Sequence, residues 1–340
     1  MKKLLLIDAN SLIHRAFHAI PPLTSKAGEP TGALYGVSGI LLKILKSERP
    51  DYAAAAFDRP EPTFRKKIFK DYKAHRPKAP DELVSQIIES HNLFIKFGIN
   101  FFEKPGYEGD DIIGTLAKKF GRERDLQTII LTGDLDTLQL VDGKKTAVRI
   151  LKKGVSETMF YDERAVIERY GLKPGQMTDY KGLVGDTSDN IPGVRGIGPK
   201  TAEGFLKKYG HLESLFKKFP KDNPAAKKIL PFEKEALFSK KLATIDCNVP
   251  IKVSLDDMGF SGPQNTVLMP YFERLGFESM IRRMMGGEKN SSSKKVKEKP
   301  LTQGLFAFEP KEKTEAKPIF VDNEKKMKGG GKEEMDVAWD

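Results

Sequence analysis

The stretch Tyr107-Glu108-Gly109-Asp110-Asp111 places three carboxylates within four residues. If all three faced one closed pocket they would repel each other, and a divalent cation among them removes that repulsion. Acids at the start of a helix also cap its free backbone N–H groups, which is the ordinary structural explanation. Taken alone, the stretch leaves both interpretations open.

Two single acids and two acidic pairs elsewhere in the chain occupy comparable positions. All but the last pair follow short apolar runs of the kind that form buried strands. In an open parallel sheet the carboxyl ends of the strands share one edge, and ligands bind there. We therefore predict one cleft lined by nine acids: Asp8, Asp58, Glu108, Asp110, Asp111, Asp134, Asp136, Asp186 and Asp189. Because the set contains neither His nor Cys, it suits Mg²⁺ or Mn²⁺ rather than zinc.

Positive charge dominates the rest of the chain. Its 340 residues include 58 Lys and Arg against 47 Asp and Glu, a net charge of +11. A basic surface beside a carboxylate cleft indicates a polyanionic partner, most simply nucleic acid. The lone Cys247 excludes an internal disulfide framework and fits the reducing cytoplasm. The apolar start ends at Asp8, too early for a signal peptide, and no run approaches the roughly 20 apolar residues of a membrane span.

The hydrophobic pattern predicts an α/β fold with a central, mostly parallel sheet flanked by helices. Strands are expected at 2–7, 53–57, 100–102 and 128–131, with a hairpin of 146–151 and 157–160 around Lys153-Gly154. Helices are expected at 34–45, 81–97, 112–120 and 162–170, and then onward to about Met285. We divide the chain into an α/β core at 1–175, a helical subdomain at 176–286 and a tail at 287–340.

The segment 60–80 carries seven basic residues interleaved with Phe64, Phe69 and Tyr72. Such a segment suits single-stranded nucleic acid, because cations hold phosphates while rings stack on bases. A solvated amphipathic helix is the alternative. The basic residues are Arg65, Lys66, Lys67, Lys70, Lys73, Arg76 and Lys78.

The glycine-rich run 193–202 follows no predicted strand, so it is not a dinucleotide site. Glycines in a tight turn between two helices let backbone N–H groups approach a phosphate closely. We interpret the run as a helix-hairpin-helix that holds duplex backbone without reading sequence. The residues that would make these contacts are Gly193, Gly196, Gly198, Lys200 and Thr201.

Together these motifs resemble the 5′ nuclease domain of bacterial DNA polymerase I, in the flap endonuclease superfamily. The resemblance runs in family order from Met1 to about Met285 and rests on long stretches. They are 4–12, Phe57-Asp58, 62–65, Tyr72-Lys73-Ala74-His75-Arg76-Pro77, 107–111, 132–136 and 182–194. Two departures are visible, since the family usually has Ala in place of Gly109 and Tyr in place of His14.

The resemblance implies a PIN-like 5′ nuclease fold with a helical arch at about 60–97. It implies a 5′→3′ exonuclease and flap endonuclease that cleaves DNA flaps, nicked duplexes and RNA primers with two Mg²⁺ or Mn²⁺ ions. Asp8, Asp58, Glu108, Asp110 and Asp111 would hold the first ion, and the other four acids the second. Lys73 and Arg76 would contact the scissile phosphate. DNA would also be bound by Arg15, by Tyr72 stacked on the terminal base, by Lys78, and by the hairpin, which could hold K⁺.

Several expectations about partners accompany this resemblance. We expect a cytoplasmic monomer that does not bind membranes. The polymerase activity would act in trans or belong to a longer chain, since the domains that usually follow are absent. The tail segment 302–308 loosely resembles peptides that dock on sliding clamps. A PIN-type RNase and a non-catalytic helix-hairpin-helix protein remain as alternatives, although the first ordinarily lacks the hairpin and arch and the second needs no acidic cleft.

Overall fold

A six-stranded sheet lies at the centre of the computed structural model, which describes residues 1–152, 157–223 and 226–285. The strand order is β3-β2-β1-β4-β5-β6, and every neighbouring pair is parallel except β5 with β6. The strands are β1 Lys2–Asp8, β2 Tyr52–Ala56, β3 Asn100–Phe102, β4 Leu126–Thr132, β5 Thr146–Leu151 and β6 Thr158–Tyr161. The predicted mostly parallel sheet is confirmed, while the turn Lys153-Gly154 lies outside the described residues.

The register of the central strands brings their carboxyl ends together. Asp8 at the end of β1 lies beside Ala56 of β2, and Ala56 lies beside Phe102 of β3. On the other side, Ile7 pairs with Leu131 of β4. The loops that leave these four strands therefore start at one edge of the sheet, where the sequence pattern predicts the cleft.

Helices cover both faces of the sheet and form a separate bundle beyond it. Gly171, with a φ of 65°, ends α6 in the left-handed conformation, as the sequence predicts. The helices are α1 Ala9–Ala19, α2 Gly32–Glu48, α3 Phe64–Ile68, α4 Asp81–Lys96, α5 Gly109–Phe120, α6 Glu163–Tyr170, α7 Met177–Val184, α8 Pro199–Tyr209, α9 Leu212–Lys218, α10 Ala226–Ile229, α11 Glu233–Ala243, α12 Asn265–Leu275 and α13 Glu278–Met284. Short 3₁₀ turns lie at Leu135–Leu140, Pro174–Gln176, Leu230–Phe232 and Asp256–Met258.

Alternating side chains of β1 feed two apolar cores. Leu5 and Ile7 pack with α1, α2 and α4, whereas Leu4 and Leu6 pack with α5 on the opposite face. A third core lies among α7, α8, α9 and α11. Burial of these apolar faces is the main force that holds the layers in place.

Two segments pack differently from the predicted division of the chain. Helices α12 and α13 contribute Leu268, Phe272 and Met280 to the core around α1 and α2. These two helices lie in the predicted subdomain 176–286 but pack on the sheet layer, whereas α7, α8, α9 and α11 form the third core. Helix α4, part of the segment 60–97 expected to form the arch, likewise packs on the sheet layer through Ile87 and Phe94, and Lys73 and Arg76 are the residues of that segment that line the cleft. Among the described helices, none is long and apolar enough to cross a membrane.

Candidate metal centre and nucleic-acid cleft

An open cleft of about 790 Å³ lies at the carboxyl edge of the sheet. It is surrounded by α1, which follows β1 directly, by the loops after β2, β3 and β4, and by the turn that carries Lys73 and Arg76. Five of the nine predicted acids line the cleft: Asp8, Asp58, Glu108, Asp110 and Asp134.

Asp8 and Asp58 are held in the cleft by backbone and hydroxyl donors. Asp8 accepts from Thr132 Oγ1 at 2.7 Å and from the Ser11 amide at 3.0 Å, which also caps α1. Asp58 Oδ1 accepts from the Gly109 amide at 2.6 Å. Burial and the neighbouring Asp58 carboxylate raise the pKa of Asp8 to about 7, and burial also raises the pKa of Asp58.

Gly109 allows this close approach. A Cβ at this position would lie 3.2 Å from Asp58 Oδ1, which is tighter than ordinary van der Waals contact. The departure from the family's Ala therefore leaves more room between the second strand's acid and the start of α5.

The charge of the Asp110 carboxylate is poorly compensated by its surroundings. Its Oδ1 atom is buried and has no hydrogen-bond partner within the described part of the chain. Burial and the adjacent Asp111 carboxylate raise its pKa well above the usual range. A buried carboxylate oxygen without a donor is costly unless a cation compensates it.

Glu108, in contrast, is surrounded by donors. It accepts from Lys73 Nζ at 2.9 Å, from Tyr72 Oη at 3.1 Å and from Arg65 Nη1 at 3.2 Å. Burial opposes ionisation of Glu108, but Lys73 and Arg65 more than offset it and lower its pKa. In return, Glu108 and Asp189 outweigh the burial of Lys73 and raise the pKa of its amine.

The prediction that Asp111 faces the cleft is wrong for this structure. Its fully buried carboxylate pairs with Arg65 through two bonds of 2.7 and 2.8 Å and accepts from the amides of Glu108 and Asp246. Asp111 therefore acts as the partner of a buried guanidinium and as part of the capping box of α5. The capping interpretation is confirmed for Glu108 and Asp111, and the metal interpretation stays a prediction for Glu108 and Asp110.

Arg65 is a structural residue that the sequence pattern places among solvated cations. It is 2% exposed and donates to the carbonyl oxygens of Leu242 and Thr244, in addition to its bonds with Glu108 and Asp111. It therefore links the cleft segment, the start of α5 and the end of α11. The spacing of basic residues in the sequence cannot distinguish a buried guanidinium, whose N–H groups all have acceptors in the protein, from an exposed one.

The acids predicted for a second ion are mostly neutralised by the protein's own cations. Lys181 contacts both Asp136 and Asp186. Asp189 accepts from Arg76 Nη2 at 2.7 Å and from Tyr72 Oη at 3.1 Å. Burial and Asp134 nevertheless raise the pKa of Asp136 to about 7, whereas Lys181 outweighs burial and lowers the pKa of Asp186.

The donor set fits a hard divalent cation, although the acids do not yet encircle one. Within the described residues, no three His, Cys, Asp or Glu side chains are arranged so that they could hold a metal ion. The buried, unpartnered Asp110 oxygen and the raised pKa values of Asp8 and Asp58 show that these three acids are incompletely compensated by the cations of the cleft. The all-oxygen chemistry suits Mg²⁺ or Mn²⁺.

Most predicted DNA contacts are accessible, but Tyr72 is not. Its ring is only 3% exposed, so the prediction that it stacks on a terminal base is wrong for this conformation. Lys73, Arg76 and Arg15 line the cleft, and Arg15 donates to the carbonyl oxygens of Gly133 and Lys152. Lys78 is exposed. The other rings of this segment pack on protein, Phe64 against Tyr107 and Phe69 against Phe238.

The glycine-rich run joins α7 and α8, as a helix-hairpin-helix requires. Gly193 and Gly196 have φ values of 64° and 84°. A Cβ at Gly193 would lie 2.3 Å from the Gly185 amide nitrogen, so only glycine fits there. Gly198, which precedes α8, has open space around it, and Lys200 and Thr201 are exposed beside it. Gly193 itself is buried and its amide donates to Ser239 Oγ at 3.0 Å, so the prediction that it contacts a phosphate is wrong for this structure. Gly196, Gly198, Lys200 and Thr201 are accessible to a duplex backbone.

Comparison with known proteins agrees with this geometry. Residues 3–171 match the 5′–3′ exonuclease N-terminal resolvase-like domain, and residues 172–266 match the 5′–3′ exonuclease C-terminal SAM fold. The 5′–3′ exonuclease of Aquifex aeolicus is 38% identical over 287 residues, which cover 84% of this chain and 96% of the relative. This chain belongs to the 5′–3′ exonuclease family.

Two further similar proteins show how much of a relative's length the chain covers and which fold it shares. DNA polymerase I of Caldicellulosiruptor bescii is 41% identical over 285 residues, 83% of this chain, and the chain spans only 33% of that polymerase. The flap endonuclease of bacteriophage T5, in a pseudo-enzyme–product complex with DNA and metal ions, has a TM-score of 0.58 at 19% identity. That match covers 72% of this chain and 89% of the phage protein, and it confirms the fold.

Three side chains of this exonuclease family member were missed as part of the site. Lys181 and Asn190 lie in or beside the motif 182–194, where only the acids carry an obvious chemical signal. Asn10 lines the cleft and is 4% exposed, and its Oδ1 accepts from the Asp58 amide at 3.2 Å. Its position two residues after Asp8, beside the end of a strand, is the signal that could have identified it.

Proposed function

We propose that this chain is a divalent-metal-dependent hydrolase that removes nucleotides from 5′ ends of DNA and cleaves 5′ flaps. The family membership supports 5′–3′ exonuclease chemistry. The observation that carries the proposal is the cleft itself. It combines the underneutralised carboxylates Asp8, Asp58 and Asp110 with the cations Lys73 and Arg76. Nicked duplexes and RNA-primed 5′ ends are included as substrates.

In the proposed mechanism, Asp8, Asp58, Glu108 and Asp110 would hold a first Mg²⁺ or Mn²⁺. Asp134, Asp136, Asp186 and Asp189 would hold a second once Lys181 and Arg76 turn away. When bound, such ions supply an activated water and compensate charge on the phosphate and leaving oxygen. The structure's match to a phage flap endonuclease complexed with DNA and metal ions supports this assignment.

The chain's own residues would position and stabilise the phosphate. Lys73 and Arg76 would exchange their contacts with Glu108 and Asp189 for the scissile phosphate, where negative charge increases in the transition state. Arg15, held by two carbonyl oxygens, would present its charge to the neighbouring backbone. Tyr72 would orient Glu108 through its hydroxyl group.

The helical bundle would hold the duplex next to the cleft. Exposed Gly196, Gly198, Lys200 and Thr201 offer backbone N–H groups and charge to phosphates, and the turn could also hold K⁺ on its carbonyls. Replacing Gly198 by Val should weaken duplex-containing substrates, while free single strands are little affected. Gly204→Val, within α8 and also at a position where a Cβ meets open space, is the matched control. Equal weakening on both substrates would contradict the assignment.

The experiment that tests the activity is digestion of a 5′-labelled flap with Mg²⁺ and with EDTA. We expect cleavage only with metal. Lys73→Ala should lower the single-turnover rate about a hundredfold and leave binding within a few-fold, because its charge acts mainly in the transition state. The exposed Lys70→Ala serves as control. Full activity in chelator, or an equal loss of binding and rate in Lys73→Ala, would contradict the mechanism.

We further propose that the nuclease works as a monomer in the cytoplasm with a polymerase, either in trans or on a longer chain, and that 302–308 docks on a sliding clamp. The segment 302–308 lies outside the described residues. Its apolar residues Leu305, Phe306 and Phe308 stand in charged sequence, which suits a short anchor on a tether. Titration of a 299–311 peptide against the clamp, with Leu305→Ala as control, tests this contact.

A further inference from the structure

The turn that carries Lys73 and Arg76 is clamped by the loop that contains Asp189. The turn, residues 71–76, is closed internally by bonds from the Ala74 amide to the Asp71 oxygen (3.1 Å) and from the Arg76 amide to the Lys73 oxygen (3.2 Å). The facing loop, residues 186–191, is closed at its base by two backbone bonds between Asp186 and Ile191, of 2.7 and 2.8 Å. Each of the two segments therefore has backbone bonds of its own in addition to those across the clamp.

Two side-chain-independent features show that the contact constrains both partners. Lys73 has a φ of 53° and Asn190 a φ of 57°, in the left-handed region that residues with a Cβ rarely occupy. Asn tolerates this conformation, whereas Lys adopts it only where its surroundings impose it. The Lys73 amide donates to the backbone carbonyl oxygen of Asp189 at 3.1 Å, so the strained residue is held directly by the loop.

Asn190 closes the clamp from the loop side. Its Nδ2 donates to the Asp71 carbonyl oxygen at 2.7 Å, and that oxygen also accepts the internal bond of the turn. The other side-chain contacts across the clamp are those of Arg76 with Asp189 and with the Ser188 carbonyl oxygen, and that of Tyr72 with Asp189. Asn190 differs from Arg76, Tyr72 and Asp189 in that it has no role in the proposed chemistry.

We propose that Asn190 is a positioning residue that holds the turn 71–76, and with it Lys73 and Arg76, at the edge of the cleft. This inference rests on the proposed function for the roles of the two cations, whereas the clamp itself rests on the contacts alone. A preformed turn presents its charges without reorganisation when the phosphate arrives, which is how fixed charges accelerate a reaction. Without the clamp, the turn would sample other conformations and would present the charges of Lys73 and Arg76 at the cleft less often.

Limited trypsin digestion of the full chain, without metal or DNA, tests the clamp independently of catalysis. Mass spectrometry would follow cleavage of the Lys73–Ala74 bond, which requires the turn to open. Asn190→Gly keeps the positive φ and removes the donor, and Asn190→Asp keeps the shape and removes the donor. We expect both to speed this cleavage about five- to tenfold, the effect of one lost hydrogen bond on an opening equilibrium.

The control is Thr187→Gly, which adds flexibility to the same loop at an exposed position without a contact to the turn. It should be digested at the wild-type rate. A wild-type rate in both Asn190 variants, or equal acceleration in Thr187→Gly, would overturn the clamp.

Single-turnover cleavage of a bound 5′ flap tests the positioning role. We expect a five- to tenfold lower rate in both Asn190 variants, with flap affinity within about twofold of wild type, because the cations act in the transition state. A looser turn combined with an unchanged rate would overturn the positioning role. Absence of flap cleavage by the wild-type chain would instead overturn the proposed function, and the protease result would still decide whether the clamp exists.

Discussion

Two groups of carboxylates lie near the cleft and differ in how their charge is compensated. Asp8 is buried and Asp58 and Asp110 are partly exposed, and all three have raised pKa values and contact no basic side chain by hydrogen bond or ion pair in the described structure. Asp186 and Asp189, by contrast, are paired with Lys181 and Arg76. Residue type is the same, so the difference shows that placement decides which acids are left without a basic partner. An ion could enter the second group only by displacing the protein's own amines and guanidinium.

The largest expected effect comes from removing one charge of the first group. Asp110→Asn should lower flap cleavage at least about a thousandfold, since several kcal/mol of charge stabilisation depend on the bound ion. Flap binding without cleavage should persist, as measured by fluorescence anisotropy. The neighbouring Asp111→Asn should instead lower the unfolding free energy, because it weakens the buried pair with Arg65. Similar loss of activity with unchanged stability in Asp111→Asn would return Asp111 to the metal site.

A second expected effect concerns pH in the presence of chelator. The pKa of Asp8 is raised to about 7 in the fold, so between about pH 4 and 7 the native state binds more protons than the unfolded state. The unfolding free energy should therefore fall as pH rises through this window, by up to about 4 kcal/mol from this group.

Denaturant unfolding of wild type and Asp8→Asn between pH 4 and 8 measures that effect. The neutral variant should gain stability relative to wild type as pH rises, and added Mg²⁺ should reverse the ranking at pH 8. Parallel pH profiles in chelator would show that Asp8 is already compensated, and would remove the contrast between the two groups.

The smallest expected effect comes from removing the lysine that compensates the second group of carboxylates. Lys181→Met leaves Asp136 and Asp186 without their shared cation and should lower the unfolding free energy by about 2 kcal/mol without metal. Mn²⁺ should then stabilise the variant more than wild type, because no amine has to be displaced. Thermal unfolding with and without Mn²⁺ measures this, with the exposed Lys217→Met as control. An equal Mn²⁺ response in both proteins would show that the second group binds no ion.

The positions of the strands, the mostly parallel sheet and the convergence of five acids could be predicted from the sequence. Apolar runs followed by Asp8, Asp58 and Asp134 predict buried strands with an acid at the carboxyl end of each. Because a parallel sheet brings the carboxyl ends of its strands to one edge, the same runs predict that these acids lie close together. The glycine run between α7 and α8 was equally readable, since the positive φ values of Gly193 and Gly196 can be adopted by few other residues.

What only the tertiary structure decided is which charges face each other. Asp110 and Asp111 are adjacent, yet one has an unpartnered oxygen in the cleft and the other is fully buried against Arg65. Successive residues of a helix point about 100° apart, and the partner of Asp111 comes from a segment 46 residues away. Tyr72 and Lys181 were likewise placed by contacts across the fold. The sequence alone determined where acids and strands occur, because these follow from local pattern, but their compensation depends on distances between segments that only folding brings together.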